Sequence, residues 1–332
     1  MTYIKNSTLS ENSLTFEINN KSNEFKISFL NALRRIILSE VNTWSIDENK
    51  TEFIENNSIL NNEFLKHRLS LIPIISNKDI KYENLVISCN VKNEEETIKS
   101  IYVSDFEIND EIMNEKYKIE DFIKFPKILF AKLQNNEFFS FNAKLSNNSS
   151  KEAGAQYCPV STCVVTFKNN ENNLKDDLKK IEKNLQESFI INNKEKIYEK
   201  NNKGDPLIYE MKIESIGFYD TKTIIEKGLT ILEEKINLYE ENIKDFELKN
   251  GFYILTIDNQ NDTLGNLISS YINEEKDIEF SGYIMEHPLY EKISIKIKTN
   301  VSKDNLLKII SKRNEYLKEL IHSLKNEIKS LK

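Results

Sequence analysis

Apolar residues recur at two spacings along this chain, and the two spacings follow one another in the same order twice. An alternating run at Phe16–Ile18 precedes a stretch in which every fourth residue is apolar, namely Phe25, Phe29, Leu33, Ile37 and Val41. A second alternating run at Leu255–Ile257 precedes a shorter apolar stretch with Leu264, Leu267 and Ile268. Period-two alternation favours a strand, and the i, i+4 row favours a helix with one buried face. The repeat predicts two halves of a dimer in one polypeptide.

Two further helices are predicted by the same spacing. Asp220 or Thr221 can cap a helix that carries Ile225, Leu229, Leu232, Ile236 and Tyr239 on one side. Near the end of the chain, apolar residues step by three and four, and Asn314 interrupts them; they are Leu307, Ile310, Leu317, Ile321, Leu324, Ile328 and Leu331. Such a row is typical of a bundle or coiled-coil seam, which needs a partner.

The middle of the chain follows a different pattern. Residues 48–206 alternate short strand-like runs with polar loops, which predicts an inserted β-rich domain. Within them, residues 169–206 are dense in Asn, Lys and Glu and are predicted to form a mobile loop around one short helix. We therefore predict a discontinuous dimerisation domain over 1–47 and 207–245, the insert over 48–206, and a second dimerisation domain over 246–332.

Composition limits the classes of function. The 332 residues carry a net charge of −7, which argues against direct binding to DNA or RNA phosphates. The longest apolar run, Leu69–Ile75, is far shorter than the roughly 20 residues that span a bilayer. Nothing at Met1–Lys5 resembles a secretory signal. We expect a soluble intracellular protein with no membrane contact.

Candidate catalytic chemistry is sparse. Cys89, Cys158 and Cys163 form no C-x-x-C pair, which favours a reducing compartment and predicts no metal site. The chain also lacks a nucleophile elbow, a Gly-rich phosphate loop and an aspartate cluster for two-metal chemistry. We expect no catalytic residue, no cofactor and no nucleotidyl transfer by the isolated chain. Two alternatives stay open: a thiol hydrolase using Cys158 or Cys163 with His67, and a coiled-coil adaptor that dimerises through residues 303–331.

Four ordered segments resemble one family. FKISFLNALRRIILSEVNTWSID, at Phe25–Asp47, resembles the first helix of RNA polymerase alpha-like subunits: bacterial alpha, archaeal D and the third-largest subunit of eukaryotic polymerase II. EFLKHRLSLIP, at Glu63–Pro73, and KEAGAQYCPVSTC, at residues 151–163, resemble later segments of those subunits. Phe252–Thr299, with DTLGNLI, FSGY and EHPL, resembles the smaller L-like partner. Asn42 and Ser70 replace a usual proline and a usual glycine.

The resemblance implies an α+β fold in which an alpha-like domain with a β-rich insert is fused to an L-like domain as an intramolecular pseudo-dimer. It implies a non-catalytic assembly platform for a multisubunit DNA-directed RNA polymerase, with the two largest subunits and small zinc-bearing subunits as partners. No homodimer is expected. Fusion in one chain is similar to the arrangement in large cytoplasmic DNA viruses, which predicts a viral protein of the host cytoplasm and the virion.

The resemblance also suggests two sets of functional residues. Paired arginines on a helix usually form a solvated face, but Arg34, Arg35, His67 and Arg68 lie within family-like segments, and no buried acidic partner is evident nearby in sequence. We assign these four to the surface that receives the second-largest polymerase subunit. Four apolar or aromatic residues are assigned to one core shared by the two halves, namely Leu33, Ile37, Leu267 and Tyr271.

Overall fold

A computed structural model describes residues 2–76, 80–110, 112–113, 115–193, 196–242, 246–287 and 289–331. The boundary predicted at residue 245 and Pro288 of the EHPL segment lie outside these residues. By its contacts the chain divides into two compact units, each described below by itself. The first comprises Met1–Ile37, Thr162–Glu214 and Thr221–Lys332, and the second comprises Leu38–Ser161 and Ser215–Asp220.

Strands and helices are numbered in chain order. The strands are β1 Ile4–Leu9, β2 Ser13–Asn19, β3 Thr43–Asn56, β4 Leu85–Lys92, β5 Lys99–Tyr102, β6 Glu107–Asp110, β7 Lys116–Tyr117, β8 Leu129–Leu133, β9 Phe138–Asn148, β10 Val160–Phe167, β11 Ile208–Ser215, β12 Glu247–Lys249, β13 Phe252–Asp258, β14 Ile278–Met285 and β15 Lys292–Thr299. The α-helices are α1 Ile27–Ser39, α2 Asn62–Ser70, α3 Ser150–Ala153, α4 Glu171–Leu178, α5 Gln186–Asn193, α6 Thr221–Asn242, α7 Asp262–Ile272 and α8 Lys303–Ser330. Single 3-10 turns occupy Tyr82–Asn84, Val103–Asp105, Ile119–Asp121, Ala155–Tyr157 and Lys183–Leu185.

The first unit contains two four-stranded sheets, one in each half of the repeat. The order is β1-β2-β11-β10 in the first half and β12-β13-β15-β14 in the second. In the first sheet the antiparallel register of β2 and β11 sets Phe16 opposite Met211 and Ile18 opposite Tyr209. All four of these side chains are fully buried, as the alternating pattern predicts. Helix α7 packs on β14 and β15 and so covers one face of the second sheet.

The second unit is built mainly of strands. Its five-stranded sheet has the order β3-β9-β4-β6-β7, and β5 pairs with β8 in a separate two-stranded sheet. Phe106 meets Phe130 and Phe141 edge-to-face at 5.2 and 5.3 Å between ring centroids. This aromatic group lies in a continuous buried cluster that also receives Leu65 and Leu69 of α2. Such edge-to-face pairs add to the stabilisation from buried area.

The end of the insert differs from the predicted position. The prediction placed it at residue 206, but the compact second unit ends its first segment at Ser161. The physical reason is that β10 lies beside β11 in the first sheet, so residues 162–206 belong with the first unit. The stretch 169–206 also holds two helices, α4 and α5, where only one short helix was predicted.

Candidate assembly interface

The last helix, α8, has its seam partner within the same chain. Helices α6 and α8 run antiparallel, because Glu240 pairs with Lys318 and Glu233 pairs with Lys325, each at 2.6 Å. Lys222, at the start of α6, donates to the carbonyl of Leu331 after the end of α8. The buried residues of α8 are Leu306, Ile310, Asn314, Leu317, Leu320, Ile321, Leu324 and Ile328. The seam was predicted to begin at Leu307, and it begins instead at Leu306.

Helix α1 approaches α6 closely at a glycine. A Cβ built on Gly228 would lie 2.8 Å from Cγ1 of Ile37 and 3.2 Å from Cδ1 of Leu33. Both α1 side chains are fully buried, so there is little free space into which they could move. Gly228 therefore sets the separation between the two helices of the first half.

The start of α1 meets the end of α7, which joins the two halves. The hydroxyls of Ser28 and Ser270 lie 2.6 Å apart, and Lys26 Nζ donates to the Ser270 carbonyl at 2.7 Å. The Tyr271 hydroxyl donates to the Glu24 carbonyl at 2.9 Å and accepts from the Lys26 N–H at 3.3 Å. Burial raises the pKa of Tyr271, so the phenol stays protonated and can serve as both donor and acceptor.

A second junction joins the first strand to the last helix. The Glu327 carboxylate accepts the backbone N–H groups of Tyr3, at 2.8 and 2.9 Å, and of Ile4, at 2.7 Å. Charge-assisted hydrogen bonds of this kind are stronger than neutral ones. The halves are therefore held together by polar contacts at two junctions, one between α1 and α7 and one between β1 and α8, and by the buried faces of α1, α6, α7 and α8.

All four residues assigned to the shared core are buried. Leu33, Ile37 and Leu267 are fully buried, and Tyr271 is 2% exposed. The contacts given above place Tyr271 between the halves, whereas Leu33 and Ile37 touch Gly228 of their own half. The helix period identified the buried face of α1, but it could not say which helix covers that face.

Arg34 and Arg35 lie side by side on α1 in the first unit. Arg34 is half-buried, and its Nε donates to Asn31 Oδ1 at 3.0 Å. Arg35 is exposed, and its charge acts on Tyr283 of the second half. Burial raises the pKa of the Tyr283 phenol, Asp262 adds to the rise, and Arg35 opposes it. Arg34 is thus partly covered, whereas Arg35 is exposed and lies near Tyr283 of the second sheet.

His67 and Arg68 lie on α2 in the second unit, and each has a partner distant in sequence. His67 Nδ1 is 3.1 Å from Glu48 Oε1 of β3. A hydrogen bond from Ser70 lowers the pKa of Glu48, burial acts in the opposite direction, and His67 adds to the lowering. Arg68 donates from Nε to the Phe130 carbonyl at 3.0 Å and from Nη2 to the Leu129 carbonyl at 2.8 Å. These partners lie outside the local sequence around His67 and Arg68, and Arg68 helps to hold β8 against α2.

Metal-ligating groups and cysteine thiols were candidates for reactive chemistry in the described part of the chain. No group of three His, Cys, Asp or Glu side chains within them could hold a metal ion. Burial raises the pKa of the Cys158 thiol, whose Sγ donates to the Val160 carbonyl at 3.1 Å, and burial raises that of Cys89 to about 12. A protonated thiol is a poor nucleophile. None of the helices in the described part of the chain is long and apolar enough to cross a membrane.

Two α/β halves joined through their helices define an intramolecular pseudo-dimer, and comparison with known families identifies its class. Residues 21–236 match a family described as "RNA polymerase Rpb3/Rpb11 dimerisation domain", and residues 253–332 match a second family with the same description. The chain belongs to the Rpb3/Rpb11 dimerisation domain family. The predicted α+β pseudo-dimer, alpha-like in its first half and L-like in its second, is confirmed.

Individual relatives match one half or the other. DNA-directed RNA polymerase subunit Rpo3 of Pyrococcus horikoshii is 45% identical over 74 residues, which cover 22% of this chain and 26% of the relative. DNA-directed RNA polymerase II subunit rpb3 of Dictyostelium discoideum is 50% identical over 56 residues, 17% of this chain and 18% of the relative. Subunit rpb11 of the same organism is 36% identical over 84 residues, 25% of this chain and 68% of the relative. The Rpo3 and rpb3 matches thus span about a quarter or less of those relatives.

Proposed function

We propose that this chain is a non-catalytic assembly-platform subunit of a multisubunit DNA-directed RNA polymerase. The main support for this proposal is the buried contact between an alpha-like half and an L-like half in one polypeptide. In support, the first half is similar to a DNA-directed RNA polymerase subunit Rpo3, and the second half is similar to a DNA-directed RNA polymerase II subunit rpb11. A platform of this kind presents a fixed surface to larger subunits and needs no reactive group of its own.

Fusion gives the platform a physical advantage. Two separate subunits must find each other at their cellular concentrations, whereas tethered halves meet at an effective concentration of roughly millimolar for a short linker. Pairing of the halves then does not depend on the concentration of the protein. We propose that the two largest subunits and small zinc-bearing subunits add to this preformed pair, and that the chain itself does not form homodimers.

Arg34 and Arg35 are the residues we propose for capture of the second-largest subunit. Arg35 is exposed and Arg34 is half-buried, and their fully buried neighbours Leu33 and Ile36 fix the backbone that carries them. Fixed guanidinium groups suit recognition of carboxylates on a partner. The same role is proposed for His67, which is exposed. Arg68 is a weaker candidate because two of its donors bind β8.

The test is capture of polymerase subunits by the tagged chain purified from its natural source. The expected result is recovery of the two largest subunits by the parent chain, with a loss for Arg34→Glu/Arg35→Glu because like charges at an interface cost several kcal/mol. The matched control is Lys127→Glu/Lys132→Glu, which changes the net charge equally at two exposed positions. Circular dichroism confirms that each variant is folded.

Three results would count against this proposal. If the parent recovers no large subunit, the platform function fails. If the arginine variant recovers as much as the lysine control at low and moderate salt, the surface has been misassigned. RNA synthesis by the isolated chain would contradict the non-catalytic part of the proposal.

The alternatives have less support. A thiol hydrolase needs a thiolate, but burial raises the pKa of Cys158, and His67 contacts Glu48. A coiled-coil adaptor needs a free seam on α8, but α6 of the same chain covers that seam. We also propose, from the fusion of the two halves, a large cytoplasmic DNA virus as the source. Detection of the chain in purified virions would support this origin, and a cellular gene would contradict it.

A further inference from the structure

A tight turn at Asn201–Asp205 projects one lysine from the first half of the pseudo-dimer. The Asn201 side-chain oxygen accepts the N–H groups of Lys203, at 2.9 Å, and of Asp205, at 3.0 Å. The Asn201 N–H donates to the Asp205 carbonyl at 2.8 Å, and Gly204 has a φ of +92°, which suits glycine. The Lys203 side chain takes no part in these bonds. The turn is therefore preorganised, and Lys203 can be changed without removing what builds it.

The lysine reaches a carboxylate of the second half. Lys203 Nζ lies 2.8 Å from Glu274 Oε2, just after α7, and Lys26 Nζ lies 2.9 Å from Glu274 Oε1. The exposed fraction is 25% for the Glu274 side chain and 20% for Lys26. Burial tends to raise the pKa of Glu274, but the hydrogen bonds from Lys203 and Lys26 prevail and hold it below its usual value. One carboxylate of the second half thus pairs with two ammonium groups of the first.

The base of the turn is fixed to the entry of α1. The fully buried Asn20 donates from Nδ2 to the Pro206 carbonyl at 3.2 Å, and its N–H donates to the Leu207 carbonyl at 2.8 Å. Its side-chain oxygen accepts the Phe25 N–H at 3.0 Å. One asparagine therefore ties the turn that carries Lys203 to the segment that carries Lys26. The two lysines are held at a set spacing around Glu274.

We infer that the segment 199–207 is an electrostatic clasp that fastens the end of α7 to the first half, with Lys203 and Lys26 closing on Glu274. The clasp is supplied by the connection between β10 and β11, which the prediction treated as a loop. Other charged or titratable groups face this region, namely Arg313, paired with Glu275, and Tyr316 of α8 and Tyr271 of α7. The inference rests on the pseudo-dimer and is independent of binding to a polymerase.

The test is hydrogen exchange of the full chain, measured by mass spectrometry on peptides covering residues 199–207 and 268–276. Lys203→Met removes the charge and keeps the length of the side chain. We expect the exchange rate of both peptides to rise about two- to tenfold at low salt. A half-buried ion pair changes the equilibrium constant for local opening by about that factor, and exchange follows local opening. At about 1 M salt the difference should shrink, because the screening length falls to about 3 Å.

Matched variants separate the clasp from a general loss of charge. Lys292→Met removes an exposed ion pair with Asp258 inside the second half, at 3.2 Å, and should leave both peptides unchanged. In a chain that already carries Glu274→Gln, adding Lys203→Met should change the exchange rates little, because residue 274 is already neutral. Unchanged exchange in peptide 268–276 of Lys203→Met, or an equal effect of Lys292→Met, would overturn the clasp. A full additional effect of Lys203→Met on Glu274→Gln would also overturn it.

Discussion

Gly228→Ala tests the helix contact that sets the geometry of the first half. The added Cβ would lie 2.8 Å from Cγ1 of Ile37, closer than packed carbon atoms approach, and 3.2 Å from Cδ1 of Leu33. Since both neighbours are fully buried, α1 and α6 must separate or a side chain must leave its rotamer. The same change also removes the flexibility of a glycine in the unfolded chain, which favours the folded state.

Two opposing contributions determine how Gly228→Ala changes the free energy of unfolding. Overpacking a well-packed core costs about 1–3 kcal/mol. Replacing glycine by alanine inside a helix gains about 1 kcal/mol. The net change for Gly228→Ala is therefore a destabilisation of about 0–2 kcal/mol, whereas an open site on the same helix should gain the full 1 kcal/mol. Asn237 of α6 is exposed and can serve as such an open site. The difference in stability between Asn237→Gly and Asn237→Ala gives the reference value.

The assay is urea denaturation followed by circular dichroism, with hydrogen exchange of α1 and α6 as a second probe. Fluorescence of the single tryptophan is unsuitable, because Trp44 lies in the second unit. A chain with two compact units need not unfold in one step, so each probe must be assigned to its unit. In an Ile37→Ala background the 2.8 Å contact disappears while the 3.2 Å contact with Leu33 stays, so Gly228→Ala should become less destabilising there.

A Gly228→Ala variant as stabilising as the exchange of glycine for alanine at position 237 would show that position 228 is not tightly packed. The same would follow if Gly228→Ala had equal effects with Ile37 and with alanine at position 37, because residues in contact give a nonadditive cycle.

Leu33, Arg68 and Glu274 each make a contact that a single substitution removes. Leu33→Ala should destabilise the first unit by about 2–5 kcal/mol, measured by urea denaturation, because the side chain is fully buried. Arg68→Ala should destabilise the second unit by about 1–3 kcal/mol, because the Leu129 and Phe130 carbonyls lose their donors. Trp44 fluorescence during urea denaturation measures this change. The pKa of Glu274 is lowered in the folded chain, so its stabilising effect is complete above the ordinary carboxyl pKa and is lost as the pH falls through the lowered value. The stability difference between the parent and Glu274→Gln should therefore be present at neutral pH and vanish in acid.

The helices that form the interface were predictable because each buries one face. The i, i+4 rows of α1 and α6 match residues that are fully buried, including Leu33, Ile37, Leu229 and Ile236. An apolar stripe repeats every 3.6 residues whatever covers it, so the pattern is visible in sequence. The identity of the covering helix is not visible in the pattern, so the pattern alone could not place Leu33 and Ile37 beside Gly228.

The polar contacts could not be predicted, because they join residues far apart in sequence. Arg68 reaches carbonyls 61 and 62 residues away, and Lys203 reaches a carboxylate 71 residues away. Backbone acceptors leave no signature in composition. The turn at residues 201–205 did carry a local signal, since Asn and Gly in that spacing favour an Asx turn, but nothing in its sequence indicated that Lys203 faces α7.

One copy of this chain should supply both halves of the polymerase platform that we propose. Native mass spectrometry of the polymerase purified through the tagged chain counts those copies. We predict one copy of the 38.9 kDa chain with one copy of each of the two largest subunits, and a monomer when the chain is measured alone at any concentration. Two copies in the complex, a separate alpha-like or L-like partner, or the absence of large subunits would contradict the claim.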